Sequence, residues 1–312
     1  MTLPAENSPS NASDVDDAMP QLSFPLAFGA LVLGALAMGI SPVFVRFADV
    51  GPFASAFWRV ALALPVLFLW MVWECRRTGI PLKKALRWDG AVWLSGLFFA
   101  GDLFFWHLAI LETTIANATF LACLAPIWVA LLSGAFIGEP VTQRIVFGLF
   151  LCLAGAALLI GGSYQLAPER FMGDVYGFIT SIFFGLYFLA VRVARRTHGA
   201  GALVFMSTTI TAACLLVVTL LAGQGLWPQT ITGLLAVLAL GLLAHTGGQG
   251  LLAVALGSLS ATFSSLVIFI EAVAAALFAW LIVNESLSGI QIIGGALILF
   301  GIWMARPQKD QQ

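Results

Sequence analysis

Charge is what this sequence has least of. Only 9% of its 312 residues are Asp, Glu, Lys or Arg, against about 25% in a soluble domain. Hydrophobic residues make up 61%. A chain so apolar would not stay dissolved in water, so its solvent must be lipid. The formal net charge of −1 leaves no basic face to neutralise phosphates, which excludes a nucleic-acid partner. Cysteine is scarce too. Cys75, Cys123, Cys152 and Cys214 form no CxxC or CxH pair. Three lie in apolar runs, so packing is expected rather than metal or disulfide chemistry. A phosphate-binding GxxxxGK[ST] loop is absent, which removes ATP as a direct energy source. HExxH and GxSxG are absent as well, which removes the common zinc and serine hydrolases. No cofactor or metal is expected. The first 23 residues hold Glu6, Asp14, Asp16 and Asp17 but no Lys or Arg. They lack the basic n-region of a cleavable signal peptide and read as a disordered tail.

What is present is length in apolar stretches. A membrane helix needs about 20 mostly apolar residues. Polar and Gly/Pro breaks such as "RFADVGP", "GEPVTQR" and "ARRTHGAG" divide the chain into ten such runs. They cover 24–46, 53–74, 89–111, 115–137, 142–162, 174–194, 201–223, 232–256, 261–283 and 287–305. This predicts an all-α membrane protein with no soluble domain. With a cytoplasmic amino terminus, the inner segments hold eleven Lys and Arg, and the outer ones only Arg46, Arg59 and Arg170. The positive-inside rule therefore places both termini in the cytoplasm.

The sequence also matches itself at a shift of 146 residues. Gly39 falls on Gly185, Arg46 on Arg192, Gly101 on Gly247 and Ala109 on Ala255. Glu139, Gly148 and Gly155 fall on Glu285, Gly294 and Gly301. The Arg and Glu matches weigh most, because charges are rare here. Residues 24–163 and 174–306 are thus expected to be two five-helix repeats, with tails at 1–23 and 307–312. Five is odd, so the second repeat enters the membrane inverted. Inverted repeats around a central cavity are the architecture of alternating-access transporters.

The run "ILETTIANATFLACLAPIWVALLSGAFIGEPVT" and its relative "LGSLSATFSSLVIFIEAVAAALFAWLIVNESLS" resemble the fourth-helix signature of EamA-type drug/metabolite transporters. The helix-terminal Glu in "IGE" and "VNE", before a Gly-spaced helix, is similar to the family pattern in both halves. The resemblance covers about residues 24–306, and within the superfamily it extends to bacterial aromatic amino acid exporters of the YddG type. It implies a ten-helix inverted repeat whose cavity is lined mainly by helices 1, 3, 4, 6, 8 and 9. Many relatives have Glu-Pro where the second half reads Glu271-Ala272, and the first half has Ala125-Pro126.

Polar groups within the spans are the site candidates, since a mid-bilayer carboxylate costs about 2.5–3.5 kcal/mol. Asp102 and Trp106 share a face of helix 3. Asp102 either lines the cavity or bonds a neighbouring helix. His107 is either a cavity group or a satisfied interhelical histidine, and Trp106 either a stacking platform or a packing residue. His245 and Gln249 share a face in "AHTGGQG", whose glycines either loosen the helix near a substrate or pack it tightly. Ser264 and Glu271, seven apart, are expected on one face of helix 9, where Glu271 can hold a transferable proton. Asn117, with Thr113 or Thr114, either contacts substrate or ties helices together. Phe183 and Tyr187 in helix 6 are aromatic-wall or packing residues. Glu139 and Glu285 are expected to offset a helix dipole. Arg46 and Arg192 are expected to snorkel to phosphates.

This mixture suits an amphipathic zwitterion better than a sugar phosphate, which would need several buried cations. The expected function is export of a small metabolite, an aromatic or large neutral amino acid. Drugs and nucleosides are the alternative cargo. An intramembrane enzyme is the remote reading, because Phe99-Ala100-Gly101-Asp102 lacks the first glycine of a GxGD protease motif. The expected partners are substrate, lipid and a coupling proton, with a monomer or weak dimer in the inner membrane.

Overall fold

The computed structural model describes residues 21–161, 168–283 and 287–307. These residues are helical, with no strand among them. We number the helices by span: α1 (Phe24–Gly39 and Ser41–Phe47), α2 (Pro52–Ala61 and Leu64–Thr78), α3 (Gly90–Glu112), α4 (Ile115–Ala122 and Ala125–Ile137) and α5 (Gln143–Gly161). The second half holds α6 (Phe171–Ala194), α7 (Ala200–Leu221), α8 (Ile231–Ala255), α9 (Ala261–Val267 and Phe269–Val283) and α10 (Gly289–Ala305). Nine are long and apolar enough to cross a membrane, and α10 is a shorter apolar helix. Each corresponds to one of the ten runs read from the sequence, within a few residues. Glu285 lies outside the described residues.

Three spans break where the sequence carries proline. Pro42, Pro65 and Pro126 each stand in the first turn of the second segment of α1, α2 and α4. Proline has no N–H to donate and clashes with the preceding turn, so the helix restarts there. The break in α9, between Val267 and Phe269, falls at the same repeat position as that in α4 but without a proline. Both α4 and α9 begin with a hydroxyl cap. Thr114 accepts from the Asn117 N–H at 3.0 Å and Ser260 from the Phe263 N–H at 3.3 Å, satisfying donors that a helix start leaves open.

Packing repeats under exchange of the halves. Helix α3 runs against α6 as α8 runs against α1; α4 packs on α6 as α9 packs on α1. The pairs α5–α10 and α2–α7 map onto themselves. Glycines carry the symmetry to atomic detail. Gly39 lies against the Glu271 carbonyl and Ala274, and Gly185 against the Ala125 carbonyl and Trp128. In the α5–α10 seam, Gly155 faces Gly294 and Gly148 faces Gly301. Each of these contacts is its partner displaced by the repeat. Both ends of the described chain, at Gln21 and Pro307, border one cleft and so share one face. We call this the end face and its opposite the far face.

The repeats differ in backbone: α1 and α2 are broken where α6 and α7 are continuous, and the third helices are wound differently. α3 is regular, whereas α8 is π-helical from Leu240 to Gln249. The π turn is wide, and Thr246 closes part of it by donating to the Gly241 carbonyl at 2.9 Å. The glycines also permit close packing, since a Cβ on Gly34 would lie 3.0 Å from the Gly248 carbonyl oxygen. The sequence alternatives of loosening and tight packing thus hold together.

The α5–α10 seam is where added volume should cost most. A Cβ on Gly155 would sit 2.6 Å from the Gly294 oxygen, and one on Gly294 would sit 2.6 Å from that of Gly155. Gly155→Leu and Gly294→Leu are each expected to lose about 1–3 kcal/mol or more, read as a lower melting temperature in detergent. Gly29→Ala, with nothing within 4 Å of the added carbon, should leave it unchanged.

Candidate functional site

The residue that organises the interior was not among the candidates. Arg59 lies in the first segment of α2 and is only 5% exposed. The positive-inside count placed it on the outer side, although the run 53–74 already contained it. It is buried in the protein interior. Its Nη1 donates to the Ser41 hydroxyl of α1 at 3.2 Å, and its guanidinium lies over the Trp106 ring at 5.6 Å. It is within electrostatic range of Asp102 and Glu271. An arginine this deep must be balanced by opposite charge, because an unpaired ion in low dielectric costs several kcal/mol.

Arg59, Asp102, Trp106, Gln249 and Glu271 line one cavity of about 50 Å³, together with Ser41, Thr119, Cys123 and Thr180. Helices α1, α2, α3, α4, α6, α8 and α9 contribute, so the wall includes α2 beside the six helices that the resemblance implied. Glu271 is in the first turn of the second segment of α9, where the helix dipole favours a negative group. Two buried polar atoms on this wall have no partner among the described residues: Arg59 Nε, a donor, and Gln249 Oε1, an acceptor. The amide of Gln249 otherwise reaches only the Met38 sulfur, at 3.2 Å. Buried polar atoms are nearly always hydrogen-bonded, so this pair marks where a ligand's acceptor and donor would fit.

The other predicted residues lie outside that wall. His107 turns its Nδ1 to the Leu103 carbonyl at 2.7 Å and packs edge-on to Trp106. Asn117 donates to Asp174 at 2.9 Å and accepts from the Thr114 hydroxyl at 2.8 Å, and Thr113 donates to the same Asp174 oxygen. This network ties the start of α4 to α6. Tyr187 packs on Phe99 at 4.7 Å, and Phe183 fills the space above Gly101. His245 pairs through Nε2 with the Thr208 hydroxyl at 2.8 Å, also beside Phe99. Ser264 is buried with an unpartnered hydroxyl. The break at Ile268 interrupts the helical register, so Ser264 and Glu271 do not form the continuous face that their spacing suggested.

Two surface expectations are corrected. Glu139 does not serve its own following helix. It pairs with Arg192 Nε at 2.6 Å and accepts from the Ala261 N–H, at the start of α9, at 2.8 Å. Arg192 does not reach toward lipid, because its second arm donates to the Leu256 carbonyl at 2.8 Å.

These contacts separate two kinds of variant. Asn117→Ala should lower thermal stability by about 1–3 kcal/mol and leave ligand-induced stabilisation intact. Arg59→Gln leaves two buried carboxyls without their cation. It should abolish ligand-induced stabilisation and cost about 3–5 kcal/mol, both measurable by thermal unfolding in detergent. Equal ligand response in Arg59→Gln and the parent protein would show that the cavity is not the binding site.

Similarity to known proteins agrees with this architecture. The model of the EamA-like transporter family matches twice, at residues 26–161 and 171–306. An uncharacterized transporter of Archaeoglobus fulgidus is 27% identical over 278 residues, covering 88% of this chain and 94% of its own. The pseudopaline exporter CntI of Pseudomonas aeruginosa is 27% identical over 257 residues, covering 81% and 86%. A protein of known crystal structure shares the fold with a TM-score of 0.74 at 24% identity, over 90% of this chain and 95% of that one. Two family matches, one on each half, cover most of the sequence. The chain belongs to the EamA-like transporter family, as a multi-pass membrane transporter and not an enzyme.

Proposed function

We propose that this transporter exports a small amphipathic zwitterion, an amino acid with an aromatic or large neutral side chain, by alternating access. The observation that carries the reading is the cavity wall. It presents one guanidinium, two carboxyls and an indole ring from three helices of both halves. A carboxylate on the ligand would meet Arg59, whose planar fork suits it. An ammonium would meet Asp102 or Glu271. Trp106 offers an apolar platform and already holds a cation on its face, the behaviour expected of an indole.

The charge count of the wall also argues against a phosphorylated cargo. One arginine beside two acids does not neutralise a dianion. A zwitterion adds no net charge and exchanges partners with the ions already present, so the desolvation cost of the wall is shared in both the empty and loaded states. With Arg59 in the interior, the outer segments keep only Arg46 and Arg170. This supports cytoplasmic termini in a bacterial inner membrane. Export is also the activity in the name of the Pseudomonas aeruginosa relative.

The reading is tested by counterflow in proteoliposomes loaded with Phe, Trp or Leu, against a nucleoside and a cationic drug, with and without a pH gradient. Saturable uptake of the amino acids is the expected result, with Asp102→Asn and Glu271→Gln reducing it at least about tenfold, the effect of losing about 1.4 kcal/mol. Dependence on the gradient would make the proton a coupling partner. Movement of the drug or nucleoside alone would overturn the zwitterion reading.

A further inference from the structure

The interior divides into two bundles related by the repeat, α3–α4–α6 and α1–α8–α9. The central cavity lies between them. On the end-face side, the bundles are joined by hydrogen bonds centred on one ion pair. Glu139, after α4, and Arg192, on α6, bind each other at 2.6 Å and each extends a second arm across the boundary. Arg192 reaches the Leu256 carbonyl at the end of α8 and Glu139 reaches the Ala261 N–H at the start of α9. The pair therefore grips the α8–α9 turn from both sides. Arg195 adds a bond to the Ala253 carbonyl at 2.8 Å.

The space around the pair is arranged as a path. Glu139, Ser260, Thr262 and Phe263 border a cleft of about 840 Å³ open to the end face. Farther in, Pro126, Phe188, Ser265 and Phe269 enclose a pocket of about 10 Å³. Cys123 borders both that pocket and the central cavity. Glu139 borders the cleft, and Phe188, one turn from its partner Arg192 on α6, borders the inner pocket, so the pair links the two spaces. Its side chains are 23% and 13% exposed, so water reaches the pair and solvates the charges when they part. A fully buried pair would face a much larger cost on opening.

We propose that the Glu139–Arg192 pair is the end-face gate, which must part for solute to move between the end-face cleft and the central cavity. The proposal rests on the alternating-access reading above but not on the identity of the cargo. Three bonds cross the boundary, and removing either charge of the pair weakens the two that Glu139 and Arg192 make. Such a latch biases a two-state equilibrium without touching substrate.

The test uses Cys123 as the only thiol, in the full chain carrying Cys75→Ala, Cys152→Ala and Cys214→Ala. The protein is reconstituted in vesicles, and an impermeant trimethylammonium thiosulfonate is added from one side at a time. With the gate intact, labelling should be faster from the far face. Glu139→Gln keeps an acceptor for the Ala261 N–H but loses the charge, and Arg192→Gln loses both arms. Each should speed labelling from the end face about tenfold, the change expected from losing one charge-assisted bond. Arg192→Lys keeps the charge without the second arm and should fall between, giving the same sign should a neutral variant not fold. Unchanged sidedness in these variants, or equal labelling of the parent from both faces, would overturn the gate. The measurement needs no substrate, so failed counterflow with amino acids would overturn the cargo reading and leave the gate standing.

Discussion

The buried guanidinium of Arg59 is the constraint on which the interior depends. It sits in a protein whose solvent is lipid, at a depth where a lone ion is not tolerated. Two carboxyls, Asp102 from α3 and Glu271 from α9, line the same cavity. Ser41 on α1 and the Trp106 ring take further sides of the cation. Helices from both halves must therefore converge around one charge. That convergence makes a polar cavity in an otherwise apolar bundle.

Helix breaks give the cavity its shape. α1, α2 and α4 each restart after a proline, and α9 restarts without one. The interruption in α9 places the Glu271 carboxyl in a first turn, where unsatisfied N–H groups favour a negative charge. α8 contributes a π-helical stretch that ends at Gln249. Irregular backbone is tolerated at membrane depth only where protein or a cavity covers it. Here it gathers in the helices that line the cavity, while the glycine seam of α5 and α10 stays regular.

The pseudo-symmetry shows which parts are scaffold. Gly39 and Gly185 meet backbone carbonyls at equivalent positions in the opposite repeats, and so do the α5–α10 glycines. Polar chemistry repeats at the hydroxyl caps of α4 and α9 but not around the cavity. The pair of Asn117 on α4 and Asp174 on α6 corresponds under the repeat to Phe263 on α9 and Phe28 on α1, whose rings stack at 6.1 Å. Asp102 corresponds to Gly248, and Arg59 to Phe205. Duplication supplied a symmetric frame of small residues, and substitution on one side or the other made its interior directional.

The sequence by itself determined the solvent, the ten spans and the repeat, because these rest on composition, length and periodicity, which need no knowledge of neighbours. It also singled out Asp102, Trp106, Gln249 and Glu271, since polar groups stand out in apolar runs. It did not separate them from His107, Asn117, Tyr187, His245 and Ser264. Helical spacing says which residues share a face, but only packing says what that face meets. His107 bonds a carbonyl of its own helix, whereas Asp174 on α6 meets Asn117 and Thr208 on α7 meets His245. Arg59 was legible in principle, as a cation inside a run already assigned to the membrane, yet it was read as belonging to the surface because it lies near the far-face end of its helix. Of the groups around it, Ser41 lies on the preceding helix, but Asp102, Trp106 and Glu271 come from more than forty residues away, and so do the partners of Glu139 and Arg192. Those pairings are decided by tertiary structure, because an ion's partner is set by distance in space and not along the chain.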